Sequence, residues 1–333
     1  MRSLRICLLL AAFSLRAADT LTGAGATFPA PLYQKWITTF AEKFPSLQIT
    51  YRPIGSSAGI EALRKGEVDF AASDAPLSDE QLAEFPKKIR HIPTVVGGVV
   101  PIYHLEGQVR DLRFTPEILA GIYLGKIKRW DDPLLKSANR GAALPAREIV
   151  VVHRADGSGT TYIWTEYLAK VNAEWRSTIH PAKEIHWPMG VGATGNEGVA
   201  ELVAKTPNAI GYVEFIYAVE THLSYGAVRN AAGRFVRADL SSLTAAAATF
   251  QPSQSGDLRA SITNASGARA YPIASFTYFL IPEKFGDSAK AQRMTDFLRW
   301  TLTFGQKESA GLGYASLPDA VAKLALESVG GLR

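Results

Sequence analysis

The sequence is almost without cysteine: Cys7 is the only one among 333 residues. That excludes a fold stapled by disulfides and a metal centre built from paired cysteines. Histidine is scarce as well, and no H-E-x-x-H pair or G-x-x-x-x-G-K-[ST] loop occurs, so no resident metal or cofactor is implied. A strong excess of either charge is missing too. The formal net charge of +5 is too weak to argue for nucleic acid as a partner. Beyond the N-terminus, no apolar run approaches the ~18 to 20 residues that a membrane helix needs.

What is present begins with a leader-like segment. Arg2 and Arg5 precede an apolar stretch at 6–15, interrupted only by Ser14, and Ala17 and Ala18 follow. This is the layout of a secretory signal peptide, expected to span residues 1–18 with cleavage near Ala17–Asp19. Cys7 stands at the start of the run and not after it, where a lipid-attachment cysteine would be. Loss of Arg2, Arg5 and Arg16 with the leader would lower the charge to about +2.

The whole chain of 333 residues is 47% hydrophobic and 20% charged, and its length is enough for two domains with separate cores. Short apolar strands alternate with amphipathic helices, the signature of an α/β protein. Strands are expected at 47–51, 149–152, 210–213 and 276–281. Helical spacing joins Leu32, Trp36, Phe40 and Phe44; Ile163, Tyr167 and Val171; and Met294, Phe297 or Leu298, and Thr301 or Leu302, with Gly305 as the expected stop. Residues 229–271 lack a strong period and read as an irregular, partly exposed excursion.

Three segments place small and hydroxyl residues just before a helix. They are Thr22-Gly23-Ala24-Gly25-Ala26-Thr27-Phe28-Pro29, Gly55-Ser56-Ser57-Ala58-Gly59, and His153-Arg154-Ala155-Asp156-Gly157-Ser158-Gly159-Thr160. A helix start offers free N–H groups and partial positive charge, glycine permits close approach, and hydroxyls add donors. Such loops suit an oxyanion without a metal. Arg154 brings a fork matched to a tetrahedral anion, and Asp156 stands where it can hold that fork. Asp74, in a strand-like run ending at Pro76, reads from the residues alone as an ordinary turn aspartate.

Two other motifs compete. The second loop also fits G-x-S-x-G, which would make Ser57 the nucleophile of an exported hydrolase with a downstream histidine base. Gly190-Val191-Gly192-Ala193-Thr194-Gly195 fits the dinucleotide pattern G-x-G-x-x-G, although Trp187-Pro188 before it makes a poor buried strand.

Taken in order, Gly23-Ala24-Gly25-Ala26-Thr27-Phe28-Pro29-Ala30-Pro31, Ile54-Gly55-Ser56-Ser57, Ala72-Ser73-Asp74-Ala75-Pro76-Leu77-Ser78-Asp79, residues 123–132, 154–160, Ala209-Ile210-Gly211-Tyr212-Val213-Glu214 and Tyr314-Ala315-Ser316-Leu317-Pro318-Asp319 resemble the periplasmic phosphate-binding proteins of high-affinity phosphate ABC transporters. The resemblance spans nearly the whole chain after the leader. It implies a two-lobed α/β binding protein of type II-like architecture, with hinge strands near 94–100 and 271–276. One lobe would combine 19–96 with 272–333, and the other would be 97–271. It implies a periplasmic, monomeric binder and not an enzyme, with inorganic phosphate and membrane permease subunits as partners.

The same resemblance assigns the ligand set. Thr27, Phe28 (through its backbone N–H), Ser56, Asp74, Arg154, Ser158, Gly159 and Thr160 would contact phosphate, with Asp156 supporting Arg154. Asp74, ionised, would accept a hydrogen bond from the proton that phosphate carries and sulfate lacks, and would repel sulfate. A charge-assisted bond contributes roughly 1.5 to 3 kcal/mol, and an unpaired buried carboxylate facing a bare oxyanion costs at least as much. Two departures stand out: His153 beside Arg154, expected to add a pH-dependent charge, and residues 229–271.

Overall fold

The computed structural model describes residues 19–107, 109–251 and 257–332; the expected leader lies outside the described residues. One sheet runs through the molecule in the spatial order Leu47–Arg52, Asp19–Gly25, Phe70–Ser73, Ala274–Pro282, Ile89–His104, Ala209–Glu214, Val150–Arg154, Val191–Ala193. The two outer groups of strands are parallel, and the central strand pairs are antiparallel. Helices cover the strands, as βα units require.

The long strand Ile89–His104 joins the two halves. Its first part, to Gly98, pairs with Ala274–Pro282; from Val99 onward it pairs with Ala209–Glu214. Gly97 and Gly98 stand at this change of partner. A Cβ on Gly97 would lie 2.5 Å from the Phe28 ring, and one on Gly98 2.8 Å from Leu243. The missing side chains let the loop carrying Thr27 and Phe28 pack directly onto the crossing strand. Tyr271 closes the same point by donating its hydroxyl to the Val99 carbonyl at 2.8 Å.

The expected strands lie within Leu47–Arg52, Val150–Arg154, Ala209–Glu214 and Ala274–Pro282, except that Ile149 falls one residue before its strand. Helix Ala30–Lys43 buries Leu32, Trp36 and Phe40, while Phe44 caps it and stays exposed. Two readings need correction. Gly305 does not stop the helix Ser288–Trp300. That helix widens into a π turn, Thr301–Gly305, and continues as Gln306–Ser309. The Gly305 carbonyl accepts the Trp36 indole N–H at 2.8 Å. The second correction concerns the described part of 229–271, which contains a regular helix. Asp239 and Ser242 form a capping box that starts helix Leu240–Ala247, whose Leu243, Ala246 and Ala247 are buried. Alanine gives this helix a narrow apolar face, which explains its weak signal in the sequence.

Candidate functional site

The three loops converge where the sheet changes partner. Helix Ser56–Arg64 starts after Gly55, whose φ of 94° a residue with a side chain rarely adopts. Helix Gly159–Val171 starts after Ser158, whose Oγ accepts the Thr161 N–H at 3.1 Å. The two helix starts meet directly: the Gly159 N–H donates to Ser56 Oγ at 3.0 Å, and the Ser57 N–H donates to the Gly157 carbonyl at 3.0 Å. The first loop is held by its carbonyls, which accept the hydroxyls of Tyr217 (to Thr27) and Tyr314 (to Phe28), each at 2.6 Å.

All of the sequence-derived site residues lie in this region, and all are buried apart from Asp156, which is partly exposed. The Phe28, Ser56 and Thr160 N–H groups have no acceptor among the described residues. Arg154, 3% exposed, forms two parallel bonds to Asp156 and points a third N–H at Thr160 Oγ1, 3.4 Å away. Asp156 also accepts the Gly195 N–H at 3.0 Å. Burial would raise the Asp156 carboxyl, but its bonds and charge contact with Arg154, helped by backbone N–H groups, outweigh it and hold the group below its ordinary value.

Asp74 is the counterexample. It is 1% exposed, accepts the Thr277 hydroxyl at 2.8 Å, and has no cation paired with it among the described residues. Burial pushes its pKa up to about 7, against the smaller lowering effects of the Thr277 bond and the Arg154 charge. Thr277 belongs to a buried chain: Tyr33 shares a hydrogen bond with Thr94 at 2.8 Å, and Thr94 donates to the Thr277 carbonyl at 3.2 Å. Gly159 has no side chain for a reason visible here. A Cβ would lie 2.5 Å from Asp74 Oδ2 and 2.6 Å from Ser56 Oγ.

Sequence reasoning missed Thr277 and Asn196. Thr277 lies mid-strand, where a threonine carries no local signal of function. Asn196 immediately follows the G-x-G-x-x-G pattern. The structure gives that pattern a different use: a short strand, Val191–Ala193, turns into helix Gly195–Lys205, and the first residues of this helix bond to Asp156 and Thr27. Glu214 is fully buried, accepts the Ile216 N–H through Oε2, and has no hydrogen-bond partner for Oε1 among the described residues; burial pushes its carboxyl well above the ordinary range.

His153 differs from expectation. Its Nδ1 lies 3.0 Å from the Arg154 carbonyl and its ring stacks on Trp187 at 5.0 Å. Burial lowers its pKa more than the carbonyl contact raises it, which favours the neutral imidazole over an added charge at the site. Ser57 makes no hydrogen bond to a histidine among the described residues, and its Oγ is packed where a Cβ on Gly157 would stand, 2.2 Å away. The site therefore collects donors around one paired cation and one lone carboxylate, an arrangement for gripping an oxyanion and not for nucleophilic attack.

The family model of the PBP superfamily domain matches residues 12–303. The chain is 38% identical over 322 residues to the phosphate-binding protein PstS of Pasteurella multocida, covering 96% of this chain and 93% of that one. It is 40% identical over 304 residues to the PstS protein of Xylella fastidiosa, covering 91% of this chain and 83% of the relative. Among solved structures, it superposes on a high-affinity periplasmic phosphate-binding protein with phosphate bound at a TM-score of 0.75 and 23% identity, covering 91% of this chain and 92% of that one. That likeness carries the two-lobed fold.

Proposed function

The chain belongs to the PBP superfamily, within its phosphate-binding PstS branch, and on that premise we propose that it binds inorganic phosphate between two lobes and delivers it to an ABC-type importer. It is a solute-binding protein and not an enzyme. The observation that carries the ligand assignment is the buried cradle itself. Hydroxyl and N–H donors from the starts of two helices and from the Thr27–Phe28 loop surround Arg154 and the cation-free carboxylate of Asp74. We assign the phosphate contacts to Thr27, the Phe28 N–H, Ser56, Asp74, Arg154, Ser158, Gly159 and Thr160, with Asp156 orienting Arg154.

We divide the lobes at 96/97 and 271/272, a division supported by the change of strand partner after Gly98 and by the Tyr271–Val99 bond. The leader-like residues support export to the periplasm, and among the described residues no helix is long and apolar enough to cross a membrane. We assign the protein a monomeric state and a permease as its docking partner.

Selectivity follows from Asp74. At neutral pH phosphate retains a proton and sulfate has none. An ionised Asp74 accepts a hydrogen bond from the phosphate O–H, whereas against sulfate it is a buried charge facing another charge. Calorimetric titration of phosphate-stripped protein, with residues 1–18 removed, tests the ligand assignment. One-to-one binding of phosphate is expected; a folded protein that gives no phosphate heat would refute it.

A further inference from the structure

A hydroxyl has one proton to donate and two lone pairs with which to accept. At Thr27 Oγ1 both lone pairs are engaged by one residue: Asn196 donates to it from its side-chain Nδ2 at 2.8 Å and from its backbone N at 3.3 Å. At Thr160 Oγ1, Asn196 Nδ2 donates at 3.1 Å and Arg154 Nη1 at 3.4 Å. The orientation of the Asn196 amide is determined by a fourth contact. Its Oδ1 accepts the Glu214 N–H at 2.9 Å, and the flipped amide would set donor against donor. Asn196, Thr160 and Glu214 are 0%, 1% and 0% exposed, so bulk water does not compete for these bonds.

We infer that Asn196 is a positioning residue that fixes the direction of the threonine protons on both sides of the cleft. With their lone pairs occupied, Thr27 and Thr160 can only donate. A ligand oxygen that meets them must therefore be unprotonated, and a protonated ligand oxygen finds its acceptor at Asp74. Asn196 thus lets the site read how many protons the anion carries and where they sit. The same NH2 group bridges a residue of the first loop to one at the start of helix Gly159–Val171, so the two halves are oriented together. This inference rests on the phosphate reading given above.

The test is a set of double-mutant cycles read as phosphate affinity. Asn196→Ala is expected to weaken phosphate binding about 10- to 100-fold, because two donors lose their orientation. In Thr27→Val and in Thr160→Val backgrounds the same substitution is expected to cost clearly less, since the hydroxyl through which it acts is gone. A purely structural role predicts the same fold-loss in all three backgrounds, and that result would overturn the inference. Asn196→Asp provides a second arm. It keeps the shape and the acceptor for the Glu214 N–H but turns the donor into an acceptor that draws the threonine protons away. It is expected to bind phosphate more weakly than Asn196→Ala while the ligand-free protein melts cooperatively; phosphate affinity equal to wild type would contradict the inference. Wild-type protein that fails to bind phosphate would instead refute the ligand assignment, so the two failures are distinguishable.

Discussion

The two walls of the cleft handle charge in opposite ways. The wall formed by Val150–Arg154 and the helix after it buries a cation, Arg154, against its own partly exposed counter-ion, Asp156. The wall formed by Phe70–Ser73 and the loop after it buries a carboxylate, Asp74, with a hydroxyl for a neighbour and no ion-paired cation among the described residues. Burial pushes both acids up, yet the Arg154 pairing and backbone N–H groups bring Asp156 below its ordinary value while Asp74 stays raised. On the function proposed above, the difference teaches that attraction and selection are separated: one wall would supply a neutralised, rigid fork for the anion, and the other a charge that only a protonated anion can satisfy.

The largest effect is expected from breaking the paired wall. Arg154→Gln removes charge-assisted bonds to the ligand and strands Asp156. Phosphate affinity should fall by about 100-fold or more, with a stability loss of about 3 kcal/mol. Adding Asp156→Asn should recover much of the melting temperature and little of the affinity, a split that calorimetry and thermal melting read separately. Next comes the line where the walls meet. Gly159→Ala inserts a Cβ between Asp74 and Ser56 and should weaken phosphate binding about 10- to 100-fold without removing any ligand group.

The lone wall is tested by pH. With its pKa raised from the ordinary 3.8 to about 7, Asp74 in the folded protein retains a proton that the unfolded chain has already lost between those values. The native state then binds more protons, so this group's contribution to ligand-free stability is fully present below pH ~4 and is lost as pH rises through about 7, by up to ~4 kcal/mol. Glu214 adds a slope of the same sign. The difference between wild type and Asp74→Asn across pH 4.5 to 8.5 isolates the Asp74 part, and parallel melting curves would contradict it. The smallest effect is expected at His153→Phe, which keeps a ring against Trp187. Phosphate affinity at pH 8 should change by less than about twofold, because burial favours the neutral imidazole.

Much of this was legible in the residues. Loops of glycine and hydroxyls before a helix point to an anion only through their number, since each alone reads equally as a helix-capping turn, and Arg154 with Asp156 reads as a pair two positions apart. Asp74 was not legible that way. Its meaning depends on Thr277, 203 positions away, and on burial, and without the family resemblance it passes for a turn residue. Asn196 stayed hidden for a similar reason: its partners Thr27, Thr160 and Glu214 come from three other elements, and the glycine pattern before it suggested a different ligand. The helix Leu240–Ala247 was missed because its buried face is mostly alanine, and the π turn at Gly305 because a glycine ordinarily ends a helix.

The central claim is that a cation-free carboxylate selects the anion by its proton. The most direct measurement is a calorimetric comparison of phosphate and sulfate binding to wild type and Asp74→Asn at pH 8. The account predicts phosphate binding without measurable sulfate heat in wild type, and in Asp74→Asn a sulfate affinity that rises as phosphate affinity falls. Sulfate binding that is unchanged by the substitution, or already as tight as phosphate in wild type, would contradict it.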